Sequence, residues 1–167
     1  MRTAIAFAAL MCSLAATVEA QPDHVDARQV CQIKAAIRWR ESAWPASTCE
    51  RVAHALNETP DPRQMLAVAI VESDLRERAQ RVTVLADGRL ARDLGLLAVR
   101  CVSDPEAKES DRCTNGAARG LYAFELLDPV VNVRTAAAVL ATHGGRLDGY
   151  NGCVERKGRR CAYAKRI

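Results

Sequence analysis

Glu72 is the residue whose surroundings point to chemistry. Seven consecutive apolar residues, Met65–Val71, precede it. At about 100° per residue on a helical wheel it falls about 40° from Val68, in the same stripe as Met65 and Leu75, whereas Asp74 falls on the opposite face. A carboxyl held among apolar side chains keeps its proton more readily than a solvated one, and general acid cleavage of a glycosidic bond needs a protonated carboxyl near neutral pH. Arg76, at i+4, is the local basic partner, and a helix-end glutamate paired with it is the structural alternative. A two-carboxylate mechanism needs its second group at about 5 Å or about 6.5–9.5 Å. Asp87, Asp93, Asp104 and Glu125 are candidates that the sequence does not rank. A single carboxylate suffices where an acetamido group on the substrate stabilises the cationic centre.

The cysteines carry the second signal, and there are seven of them. Met1–Ala20 has a basic residue, Arg2, an apolar stretch from Ala4 to Ala16, and Val18-Glu19-Ala20 with small residues at −3 and −1, the pattern of a secretory signal peptide cut near Ala20. The apolar run falls short of the roughly 20 residues a spanning helix needs, so stable membrane insertion is not expected. Cleavage removes Cys12 and leaves six cysteines, which in an exported chain read as disulfides. The sequence-local couples Cys31–Cys49, Cys101–Cys113 and Cys153–Cys161 are the expected pairs among those six cysteines allow. The expected location is the periplasm or the exterior of the cell. Without a C-x-x-C or H-E-x-x-H pattern, and with His24, His54 and His143 scattered, neither a metal site nor a cofactor is expected.

The elements that must position these residues read mainly as helices. At 167 residues the chain is long enough for one domain, and 49% hydrophobic with 26% charged residues is ordinary for a globular one. Only 4% is aromatic, so the core must be built from Ala, Val, Leu and Ile, which favours helices over sheets. Val30, Ile33, Ala36 and Ile37 predict a helix over Val25–Arg40. Ser47-Thr48-Cys49-Glu50 has capping-box form and starts a short helix that ends before Pro60. Asp61-Pro62 and Asp128-Pro129 each pair an N-cap with proline at the first helical position, predicting one helix that carries Met65–Arg76 and another through Val133–His143, closed by Gly144-Gly145. Between Gln80 and Gly120 helical periodicity fades, and a long ordered loop region is expected.

Four segments, in order, resemble the soluble lytic murein transglycosylase family. Asp61–Ala79 is similar to the family's opening motif, in which Asp-Pro starts an Ala-rich helix ending in Glu-Ser; Glu72 matches the catalytic acid/base and Ser73 the serine beside it. Asp93-Leu94-Gly95-Leu96-Leu97 resembles the Gly-Leu-Met-Gln motif that lines the cleft. Asp128-Pro129 with Asn132, Val133 and Ala136 resembles the third motif, and Gly149-Tyr150-Asn151-Gly152 the fourth, whose tyrosine faces the catalytic glutamate. The resemblance implies a mainly α, lysozyme-like small domain that cleaves the MurNAc–GlcNAc β-1,4 bond of peptidoglycan without metal or cofactor. It implies that Glu72 first protonates the leaving oxygen and then, as a base, draws the 6-hydroxyl onto C1, giving a 1,6-anhydro product. Ser73, Gly95, Leu96, Leu97, Tyr150 and Asn151 are then the substrate-binding set. The sequence departs from the family pattern at Ala98, where a glutamine is usual, and at Leu97, where methionine is usual. Gly116-Ala117-Ala118-Arg119-Gly120-Leu121 is a rival second motif at a longer spacing from Glu72.

On this reading residues 1–20 are a signal peptide, 21–60 a helical extension packed on the domain, and 61–167 the transglycosylase-like domain. The chain's net charge is +4, and the positive excess lies at the end, where Arg156, Lys157, Arg159, Arg160, Lys165 and Arg166 face Glu155 alone. That tail suits an anionic cell wall or simple solvation. Export and the lack of interleaved aromatics argue against nucleic acid as a partner. The expected partner is the peptidoglycan glycan strand and the expected state a monomer. The alternatives are a hydrolytic lysozyme, with Asp87 or Asp93 placing a water, and a non-catalytic peptidoglycan-binding or scaffold protein.

Overall fold

The computed structural model describes residues 24–37 and 43–146. The signal segment, Tyr150, Asn151, the Cys153–Cys161 couple and the basic tail lie outside the described residues.

Among the described residues four α-helices form: α1 (Ala27–Ala36), α2 (Ala46–Asn57), α3 (Pro62–Ser73) and α4 (Pro129–Thr142). The two Asp-Pro signals work as predicted. Asp61 accepts from the Gln64 amide at 2.9 Å, and Asp128 from the amides of Val130 and Val131 at 2.9 and 3.1 Å, so side-chain oxygens satisfy amides that a helix start leaves unpaired. Proline occupies the first turn of both helices, where its missing N–H costs nothing. The capping box at Ser47 does not form. Helix α2 starts two residues earlier, after Pro45, whose fixed φ already fits the junction, and Ser47 lies exposed inside the first turn. At the end of α4, Gly144 and Gly145 take positive φ, and the Gly145 amide donates to Leu140 O at 3.0 Å.

The expectation of a mainly α, lysozyme-like small helical domain with long ordered loops is corrected by the segment that follows α3. It folds into a three-stranded antiparallel sheet, β1 (Gln80–Val84), β2 (Leu90–Leu94) and β3 (Val99–Ser103), in the order β1-β2-β3. The architecture is mixed α/β. The registers Val82↔Arg92 and Arg92↔Cys101 put Val82, Arg92 and Cys101 on one face. The strands are short and carry Arg and Asp beside Val and Leu, so neither face reads as a continuous apolar stripe. Every residue of β1 is exposed, so no hydrophobic alternation marks it at all. The signals that do mark the sheet are Val82-Thr83-Val84, β-branched throughout, and Asp87-Gly88 in the first hairpin. There Leu85 N–H donates to Arg89 O at 2.8 Å and Gly88 takes φ +85°.

One apolar core joins the four helices to β2 and β3. It runs from Val25 and Val30 through Val52 and Leu56 of α2, Met65 and Val68 of α3, Leu94 and Val99 of the sheet, to Val133 and Leu140 of α4. Two disulfides staple it, Cys31–Cys49 between α1 and α2, and Cys101–Cys113 between β3 and the loop beyond it. Glu58 and Arg134 pair through two hydrogen bonds, 2.8 and 3.1 Å, across α2 and α4.

Candidate functional site

The segment Gly95-Leu96-Leu97-Ala98 is the hairpin loop between β2 and β3, and it is buried. Leu96 and Leu97 are both 0% exposed. A buried loop must find partners for its own peptide groups. Two side chains supply them. Ser73, at the end of α3, donates from Oγ to Leu96 O at 2.7 Å, with Ala69 O also within reach at 3.1 Å. Asn132, in the first turns of α4, accepts from the Leu97 amide at 2.8 Å through Oδ1 and donates from Nδ2 to Leu94 O and Leu126 O, both at 2.8 Å. The Gly95 amide donates to Ala79 O at 2.9 Å and Ala98 N–H closes the turn on Gly95 O at 3.2 Å.

This close approach explains the glycine. Gly95 has φ +73°, and a Cβ there would overlap Asn132 Nδ2 and Leu126 O. At Gly116, the start of the rival motif, a Cβ would meet nothing within 4 Å. The neighbours demanded by a close-packed motif glycine are therefore present at Gly95 and absent at Gly116. Ala98, where glutamine was expected, is partly exposed and takes φ +48°, a conformation unusual for a side-chain-bearing residue.

Glu72 is adjacent to this junction, in the last turn of α3. It is half-buried, between the exposed Val71 and the fully packed Ser73, and so is less enclosed than its place on the wheel implied. The helix ends just beyond it, and Asp74 and Leu75 both take left-handed backbone, φ 53° and 55°. Leu75 is 0% exposed; its side chain turns inward while the chain reverses. Among the described residues the Glu72 side chain has no hydrogen bond and no ion pair; Arg76 directs its Nε to Ser73 O at 2.9 Å.

The other candidate carboxylates are all engaged. Asp87, at the tip of the first hairpin, is bonded to Arg89, whose guanidinium and amide hold its carboxyl below the ordinary value. Asp93 takes two bonds from Arg100, at 2.8 and 3.1 Å. Asp104 accepts from the Glu106 amide and Glu125 from the Tyr122 amide. Glu72 is thus the candidate carboxylate with no described partner.

Of the expected substrate-binding residues, Ser73, Leu96 and Leu97 are buried, with Ser73 holding the loop through Leu96 O. A groove of about 410 Å³ crosses the sheet between β1, β2 and Phe124, with Val82 and Arg92 in its wall. A second, of about 540 Å³, lies under the Cys113 loop beside Arg112 and Arg119. Glu72 lines neither. Among the described residues no three His, Cys, Asp or Glu side chains are grouped to hold a metal, and no helix is long and apolar enough to cross a membrane. Asn132 is the site residue whose weight the sequence understated: it stood as one letter of a motif, and its role depends on a three-way bridge between segments far apart in the chain.

No protein-family model matches the chain, and no curated protein or solved structure matches it.

Proposed function

We propose that this protein is an exported peptidoglycan lytic transglycosylase in which Glu72 is the single general acid and base. The reading is carried by one observation: Glu72-Ser73, Gly95-Leu96-Leu97 and Asn132, from three separate segments of the chain, meet through direct hydrogen bonds from Ser73 to Leu96 O and from Asn132 to both sides of the loop. Such a junction fixes the end of α3, and with it the backbone that carries Glu72, against the hairpin loop. Fixed geometry is what a lone acid/base requires, because it must serve two successive proton transfers from one place. Glu72 delivers its proton to the glycosidic oxygen as that bond breaks, leaving a carboxylate. The carboxylate then accepts the proton of the 6-hydroxyl as that oxygen bonds to C1. The proton balance closes on Glu72 and no water is consumed.

The absence of a described partner for Glu72 agrees with a one-carboxylate mechanism. The ion pairs of Asp87 and Asp93 give a water-placing role for either no support. Two disulfides agree with an oxidising compartment, where murein is found. Digestion of purified murein sacculi followed by mass spectrometry of the soluble products tests the proposal. Products ending in 1,6-anhydro sugars are expected. Reducing ends would replace the reading with a hydrolase, and binding without soluble product would replace it with a wall-binding protein.

A further inference from the structure

Helix α1 lies outside the stretch that carries Glu72, yet one of its side chains reaches the end of α3. Lys34 is 7% exposed, one turn beyond the fully buried Val30 and on the same face. Its Nζ donates to Leu75 O at 2.8 Å and lies 5.2 Å from the centre of the Trp44 ring, itself 9% exposed. An ammonium in such a place is costly to desolvate, and an apolar side chain of similar length would pack there at lower cost. What the ammonium adds at the end of α3 is its bond to Leu75 O. Leu75 is the second of two consecutive left-handed residues, a backbone that side-chain-bearing residues adopt only when something holds it. The last turn of α3 contains no basic residue of its own, so Lys34 also supplies the positive charge that the negative pole of a helix end favours.

We propose that Lys34 is a positioning residue for Glu72: its bond to Leu75 O locks the reversal that ends α3, and thereby fixes the helical turn that presents the Glu72 carboxyl. The inference rests on the transglycosylase reading for its catalytic consequence but not for its structural one. It makes the N-terminal segment part of the catalytic apparatus, joined to it by a buried charge and tied to α2 through Cys31–Cys49.

The test uses Lys34→Met, which keeps the length and removes the charge, and Lys34→Arg, which restores a charged donor. On a soluble murein tetrasaccharide, well below each variant's melting temperature, kcat of Lys34→Met is expected to fall by about tenfold or more with KM changed less than about twofold, since a small misplacement of an acid/base group costs turnover more than binding. Lys34→Arg is expected to recover most of that loss. A folded Lys34→Met with wild-type kcat would overturn the proposal. Backbone amide hydrogen exchange provides an arm independent of activity: in Lys34→Met the amides of Asp74, Leu75 and Arg76 are expected to exchange at least about tenfold faster while those of α2 and α4 keep their protection. Unchanged exchange at those three amides would also overturn it. If the wild-type protein cleaves no glycan, the functional reading falls and the exchange arm still decides the brace. Should Lys34→Met not fold, Lys34→Leu, which also has no donor, is read in the same way.

Discussion

At the scale of single residues, the site depends on groups that have to be one residue type. Asn132 both accepts, from the Leu97 amide, and donates, to Leu94 O and Leu126 O. Asn132→Ala removes three buried hydrogen bonds at once and should lower stability by more than about 2 kcal/mol in chemical denaturation. Asn132→Asp keeps the acceptor but turns a carboxylate toward two carbonyl oxygens, and it should be no better tolerated. At Gly95 the prediction has an internal control. Gly95→Ala combines a left-handed backbone with overlap against Asn132 and Leu126 and should cost more than about 2 kcal/mol, whereas Gly88→Ala, with φ +85° and open space around it, should cost only about 1–2 kcal/mol. Melting curves of the two variants check this. The position of Glu72 on a wheel was legible in the sequence, because a charge within an apolar stripe is visible from spacing alone. The bridge made by Asn132 was not legible, since it depends on distances between segments that only folding brings together.

At the scale of elements, the helices that start on Asp-Pro were readable because their start signals are local. Burial pushes the Asp128 carboxyl up, but the amides of Val131 and Val130 together with the Arg51 guanidinium hold it below its ordinary value. A carboxyl depressed in the folded state stabilises the fold above its unfolded value, near pH 4, and loses that contribution as pH falls through its folded value. Asp128→Ala should therefore be less stable than wild type by about 1 kcal/mol at pH 7, most of it from the helix cap, because an exposed pair such as Arg51–Asp128 adds little. The gap should narrow below about pH 4, as measured by urea unfolding at pH 7 and pH 3. The sheet was not readable from periodicity. Its strands span five residues each, β1 is exposed throughout, and what turns β2 into β3 is a buried loop whose partners come from α3 and α4. Helical periodicity ends at α3, and an alanine-rich composition describes the helices without describing the segment between them.

At the scale of the whole molecule, one continuous core means that the site is braced from every side. Cys101–Cys113 pins β3, the strand entered directly from the Gly95–Ala98 loop, to the loop that precedes α4. Replacing both cysteines by alanine should cost about 2–3 kcal/mol on the chain-entropy view of a short closed loop, and a thermal melt beside the wild-type protein checks it. The local pairing of these cysteines, and of Cys31 with Cys49, was legible from their proximity in the sequence.

The proposed activity rests on one carboxyl group, and Glu72→Gln tests it most directly. The substitution preserves size and removes the ionisable proton, and because the Glu72 side chain has no described hydrogen bond or ion pair to lose, the melting temperature should stay close to wild type. The rate of release of 1,6-anhydro products from murein should fall by at least about a hundredfold, the range in which a general acid operates. A folded Glu72→Gln protein that releases those products at the wild-type rate would contradict the account.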